Sequence, residues 1–383
     1  MANAPKRRFK NFTNPWQQHR LSKVAPLQRG FDLPKSDMVD GDFPVVMSSG
    51  ILHYHNEYKV KAPGVVTGRS GTIGKLHYVE DDYWPHNTTL WVTDFKDNVP
   101  KFIYHLYSHT DLSRFGTGTG VPTLNRNDVH SETVYMPCVK EQEKIALFLD
   151  TLDNNITAQT QKLQKQKALK SAYLTEMFPA PGETKPKRRF NGFTDPWQQR
   201  KLSEVSEISS GITGDTNLLN GDYKLTRIET IANGEVNQER IGFTNTTPSD
   251  KAKLNVGDIL YSNINSLEHI GKVAIFEIED AVIYHGINLL RFVPIKSHHY
   301  FLYTFLLTDF AKNWAKSRAN KAVSQASINQ SILATLEIAM PCIDEQTQIG
   351  NFFKIMDDLI AAETRKLEKL QTLKKAYLSE MFV

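Results

Sequence analysis

The stretch GRSGTIGKL at 68–76 brings glycines, hydroxyls and two cations together, the ingredients of a phosphate-binding loop. Such a loop needs four residues between its glycines and a Ser or Thr after the lysine, so that backbone amides cradle phosphate and the hydroxyl holds magnesium. Here two residues separate successive glycines and Leu76 follows Lys75, so the stretch reads as a turn between strands that displays Arg69 and Lys75. The corresponding stretch later in the chain, SNINSLEHIGK at 262–272, drops most of the glycines. His53 with His55, and His298 with His299, lack partners at zinc-site spacing and read as loop or surface residues. Asp81 with Asp82, and Asp357 with Asp358, are adjacent carboxylates with no paired base in view.

NPW at 14–16 and DPW at 195–197 echo the Asn/Asp-Pro-Pro-aromatic motif of amino-methyltransferases. The second proline is missing and no glycine-rich cofactor fingerprint lies nearby, so each reads as a turn with a packed tryptophan. No group of residues assembles into a catalytic constellation, and the chain reads as non-catalytic, with no metal or cofactor of its own.

The elements that carry these residues come twice. PKRRFKNFTNPWQQHRLSKV at 5–24 returns as PKRRFNGFTDPWQQRKLSEV at 186–205, with 14 of 20 positions identical. MPCVKEQEKIALFLD…AYLTEMF at 136–178 returns as MPCIDEQTQIGNFFK…AYLSEMF at 340–382, with 22 of 43 identical and no gap. Two copies are too few for a solenoid, so a pseudo-twofold pair of half-molecules is the simpler reading. Cys138 and Cys342 hold equivalent positions, which argues for a scaffold role.

The second repeated block is helical. Ile145, Leu149, Leu152, Ile156, Leu163, Tyr173 and Met177 follow the alternating three-and-four spacing of a coiled-coil seam, as do Ile349, Phe353, Met356, Ile360, Leu367, Leu370, Tyr377 and Met381. Polar residues break both seams at equivalent places, Gln159/Glu363 and Lys170/Lys374. Each helix is a rod of roughly 55 Å that cannot bury its seam alone, so antiparallel pairing of the two is expected. PAPGETKPKRR at 179–189 is a Pro- and Gly-containing charged linker between the halves.

Between the repeated blocks lie segments 25–135 and 206–339, which share little sequence. Strand-like content falls at 58–66, 75–79, 87–93 and 131–136, with a helix over 99–112. In the second segment strands are expected at 222–231, 258–262, 271–278 and 281–293, and one helix over 298–317. TLN at 123–125 and SIN at 327–329 stand equally far before the MPC strand, so the two segments read as one mixed α/β fold with different surfaces.

The net charge is +4, from 46 basic and 42 acidic residues, a mild excess that permits nucleic-acid binding without demanding it. Two cysteines, no apolar leader after the basic start and no apolar run of membrane length point to a bacterial-type cytoplasm.

Two variable domains, each followed by a long helix that opens near Pro-Cys-x-x-Glu-Gln and closes on Ala-Tyr-Leu-x-Glu-Met-Phe, resemble the specificity subunit of a type I restriction-modification enzyme. The resemblance covers nearly the whole chain. It implies an α+β architecture with boundaries at 1–139 and 190–343 for two target-recognition domains, 140–178 and 344–383 for the spacer helices, and 179–189 for the linker. It further implies that each domain reads one half of a split DNA sequence, and that each half docks one modification subunit. That subunit would carry S-adenosylmethionine and methylate adenine, with restriction subunits translocating and cutting. A competing reading is a coiled-coil interaction scaffold whose variable domains bind proteins.

On the DNA reading, Arg and Lys suit phosphate or guanine, and Asn and Gln suit adenine. The expected contacts are Arg69, Ser70, Lys75, Arg114, Thr117 and Thr119 in the first domain. In the second they are Asn263, Asn265, Lys272, Asn320, Lys321, Ser324 and Gln325. Trp16, Tyr173, Phe178, Trp197, Tyr377 and Phe382 are candidates for partner contact or for packing within the chain.

Overall fold

The computed structural model describes residues 4–118, 120–215, 217–232, 234–287, 289–321 and 325–383. The chain forms two compact units, one running to Gln161 and including Thr364–Val383, the other Lys162–Glu363. Among the described residues no helix is long and apolar enough to cross a membrane.

The first unit is built on a four-stranded antiparallel sheet in the order Leu27–Arg29, Thr89–Val92, Gly64–Gly68, Leu76–Val79. The inner strand Gly64–Gly68 is buried throughout, as its Gly-Val-Val-Thr-Gly composition permits. Against it packs the helix Pro100–Thr110, entered through a proline whose fixed φ suits the first helical position. Phe102, Ile103, Leu106 and Tyr107 repeat along one helical face and bury against Val65, Leu90 and Val92. A separate three-stranded sheet, in the order Gly50–His55, Phe43–Met47, Trp84–Pro85, has its own small core around Leu33, Val45 and Trp84.

The second unit repeats that sheet order and extends it: Ser206–Ser210, Leu290–Pro294, Ile259–Tyr261, Val273–Ile275, Glu235–Val236, Ile231–Ala232. The expected helix over 298–317 is two helices, His299–Leu306 and Asp309–Arg318. The break falls at Thr308, whose hydroxyl accepts from the Ala311 amide and caps the new helix start. The expected strand over 281–293 shortens to Leu290–Pro294, and the strand expected over 58–66 begins only at Gly64.

The long helices are Val139–Glu176 and Ile343–Met381, and each unit contains part of both. Within each unit the two segments run antiparallel. In the first unit Phe148 meets Tyr377 edge-on at 4.7 Å between centroids, and Asp153 pairs with Lys374. In the second Tyr173 meets Phe352 at 5.0 Å, and Lys170 pairs with Asp357. The lysines that interrupt the apolar seams are thus each answered by an aspartate at the equivalent place on the facing helix. The other interruption, Glu363, takes Lys162 as a partner.

Candidate nucleic-acid interface

The repeated phrases are explained by a clamp that closes each unit on itself. In the first unit Arg7 pairs with Glu380 at 2.6 Å and lies 5.0 Å over the Tyr377 ring, while its amide donates to the Glu380 carbonyl. In the second, Arg188 pairs with Glu176 at 2.6 Å, lies 5.3 Å over Tyr173 and repeats the backbone bond. Arg8 reaches Glu141 through two bonds of 2.7 and 2.8 Å, and Arg189 reaches Glu345 through two of 2.6 and 2.8 Å. Both glutamate side chains are fully buried. The neighbouring Gln142 accepts from the Val99 amide and donates to the Pro137 carbonyl; Gln346 does the same with His298 and Pro341.

Of the two roles open to the six aromatics, partner contact or packing within the chain, the structure shows the packing. Trp16, Phe178, Trp197 and Phe382 are buried: Trp16 packs on Phe382 and Phe102, and Trp197 on Phe178 and Phe301. Tyr173 and Tyr377 are half-buried beneath Arg188 and Arg7. All six make their contacts within the chain, because two copies of one core need the same aromatics twice.

Expected nucleic-acid contacts fall at the ends of sheet strands, after Gly64–Gly68 in the first unit and after Ile259–Tyr261 in the second. In the first unit Gly68 leaves no room for a side chain, since a Cβ there would lie 1.8 Å from the Thr72 carbonyl oxygen, and Gly71 takes φ +80. The glycines therefore serve a tight turn after the strand, with no phosphate cradle. The turn pairs with residues 122–124: Leu124 donates to the Arg69 carbonyl at 2.7 Å, Gly71 to Pro122 at 3.2 Å, and Ser70 bridges Thr123. Thr123–Leu124 in turn pairs with Gly116–Thr117. Arg69, Ser70 and Thr117 so come to one surface. Lys75 is exposed and donates to the Ser49 carbonyl at 2.6 Å, tying in the tip of the Phe43–His55 hairpin. Burial first, and the Lys75 charge second, push His77 below the ordinary imidazole range, so it adds no charge there near neutral pH. Arg114 is drawn away: it pairs with Glu132 at 2.5 Å and lies over Phe115.

The second unit assembles its surface the same way. Ile264–Asn265 pairs with Ala326–Ser327, which also pairs with Asn320–Lys321. Lys272, Asn320, Lys321 and Gln325 are exposed there. Asn263 and Asn265 depart from the expectation. The Asn263 amide nitrogen donates to the Ile328 carbonyl at 3.3 Å, and the Asn265 amide donates to Ser262 and accepts from Ser266. Both side chains hold the loop rather than facing outward. Thr119 and Ser324 lie outside the described residues.

The remaining chemistry-bearing residues take structural places. Asp82 accepts from the Ala62 amide at 2.9 Å, His55 from the Val39 amide, and Asp357 from the Tyr300 hydroxyl at 3.0 Å. His298 and His299 stack at 4.6 Å. His105, Asp150 and Asp153 lie close enough to hold a cation, with His105 Nε2 2.9 Å from Asp150. Lys101 stands 3.8 Å from Asp150, however, and Lys374 pairs with Asp153, so two ammonium groups already balance the carboxylates. The cluster anchors Pro100–Thr110 to the long helix. Sequence reasoning missed the Phe43–His55 hairpin, although Pro-Val-Val and Ile-Leu-His-Tyr flanking Ser-Ser-Gly carry its signal.

A family model described as "Type I restriction modification DNA specificity domain" matches this chain twice, at residues 13–168 and 194–372. A protein of Methanocaldococcus jannaschii, provisionally named the type I restriction enzyme MjaX specificity subunit, is 39% identical over 194 residues. That match spans 49% of this chain and 45% of that protein, so less than half of the relative is represented. The type I restriction enzyme MjaVIII specificity subunit of the same organism is 22% identical over 311 residues, 76% of this chain and 72% of that protein. Among solved structures, the type I restriction-modification system S subunit from M. genitalium superposes with a TM-score of 0.70, covering 99% of each chain. At 14% identity that likeness is one of fold.

Proposed function

The chain belongs to the type I restriction-modification DNA specificity family, and from that membership we propose that it is the sequence-reading subunit of a DNA methyltransferase and endonuclease complex. Each unit reads one half of a split target. The observation that carries this is the contrast between constant and variable parts of the two units. The clamp recurs residue for residue and the order of four sheet strands recurs with it, whereas the loops at the strand ends differ in chemistry. Lys75 and Thr117 are exposed beside the half-buried Arg69 and Ser70 in one unit; Lys272, Asn320, Lys321 and Gln325 are exposed in the other. Repetition of the scaffold supports the same task done twice, and divergence of the loops supports two different sequences.

On this reading the lysines and Arg69 position phosphate, while the amides of Asn320 and Gln325 suit adenine edges. The chain supplies no catalytic group. Two modification subunits, carrying S-adenosylmethionine, methylate adenine on either side, and restriction subunits joined to them cut. The complex acts in the cytoplasm, on duplex DNA. With a net charge of +4, the partners provide much of the phosphate neutralisation.

Methylome sequencing of cells with and without the gene tests the proposal, followed by exchange of residues 206–339 for the matching segment of a relative. The expected result is a split methylated sequence of which only one half changes on exchange. No split sequence at all, with the chain holding other proteins together, supports the scaffold reading instead; a change in both halves overturns the modular one.

A further inference from the structure

The strand Gly50–His55 is the outer member of the three-stranded sheet in the first unit. Alternate residues of a strand normally face a core, yet Ile51, Leu52, His53 and Tyr54 are all exposed in succession. Leu52 is 61% exposed and Tyr54 52%. A bulge accounts for Leu52: Val45 faces His53 and Val46 faces Ile51, so Leu52 has no partner on the neighbouring strand. Bulges of this kind re-aim a side chain. An exposed apolar edge strand is a liability for a protein unless something uses it.

Charge says what that is. The hairpin tip is tied to Lys75 through Ser49, and Arg69 stands at the head of the same turn. Among the described residues no carboxylate pairs with either cation, whereas Asp40, Asp42 and Glu57 gather at the opposite, lower end of the hairpin. At the base Lys59 pairs with Glu57, whereas the cations at the tip have no such carboxylate, so the tip is the end complementary to a polyanion. A two-stranded ribbon fits the major groove of duplex DNA, about 12 Å wide, where apolar side chains distinguish the thymine methyl. In the second unit the strand pair Tyr223–Leu225 with Gly242–Thr244 exposes only Lys224 and offers no such row.

We propose that the Phe43–His55 ribbon is a specificity element of the first unit, laying Leu52 and Tyr54 against base edges in the major groove while Arg69 and Lys75 hold flanking phosphates. This rests on the DNA-reading function above. The test is the methylome of the full complex carrying Leu52→Ala, Leu52→Gln or Tyr54→Ala. Since these side chains are exposed, melting temperature and co-purification with the modification subunits should stay as in the wild type. Discrimination should fall roughly tenfold at one or two positions, all in one half of the target. Lys75→Ala should instead weaken binding to all sequences and flatten its salt dependence. Methylomes identical to wild type for all three variants overturn the proposal. Loss of co-purification with an unchanged melting temperature also overturns it, and makes the ribbon a protein-docking surface. A wild-type complex with no split methylated sequence defeats the DNA-reading function itself, an outcome distinct from either.

Discussion

Arg8 and Arg189 each hold a glutamate that solvent does not reach. The glutamates stand in the first turn of the long helices, where the helix dipole favours an anion, but it is the two-pronged guanidinium that compensates the buried charge. Hydrogen bonding to the carboxylate correspondingly raises both arginines above their ordinary pKa. Removing the arginine alone strands a carboxylate in the core. Arg8→Ala should therefore cost about 3–5 kcal/mol in denaturant unfolding. The double variant Arg8→Met with Glu141→Leu should recover most of that loss, because it removes the stranded charge along with its partner. A single variant within about 1 kcal/mol of wild type would show that the pair does not secure the unit.

At the scale of elements, the segment preceding the last sheet strand of the second unit is held by backbone bonds and one histidine in place of the longer strand its composition suggests. His285 accepts at its carbonyl from the Ile212 amide, donates from its own amide to Ala252, and turns its ring Nε2 to the Leu289 carbonyl at 2.8 Å. Burial, above all, lowers its pKa from 6.5 to about 4. Between those values the unfolded chain binds a proton that the folded chain refuses. Stability is therefore full above the unfolded pKa and falls as pH drops through this window, by up to about 3 kcal/mol. Melting curves at about pH 7 and about pH 5 should separate, and His285→Gln should narrow the separation. Equal separations in variant and wild type would assign the acid sensitivity to other groups.

For the whole molecule, each long helix contributes to both units: the first passes Gln161 and the second passes Glu363 as they go from one to the other. The number of helical residues is then the quantity that should set the gap in a split target. Four residues inserted into each helix near these points add about 6 Å, close to two base pairs at 3.4 Å each. Methylome sequencing of the insertion variant should find both half-sequences unchanged and the gap longer by a base pair or two. A full-activity variant with the original gap would remove the helices from that role.

What the sequence determined by itself is whatever is local or written twice. The three-and-four spacing of apolar residues dictates the long helices, because side chains on one helical face recur at that period whatever lies around them. The exact return of PKRRF, MPC and AYLxEMF announces two equivalent units, since a core must be filled by the same shapes wherever it is built again. Tertiary structure decided which of these residues face water. Phe382 is open to partner contact or to packing until Trp16 and Phe102 close over it, and no local pattern links positions so far apart in the chain. Asn263 reads as a base-reading amide until Ile328 arrives beside it and takes its hydrogen bond. In each case the partner comes from a distant segment, and the competition between water, core and backbone for one side chain is settled only when that segment is in place.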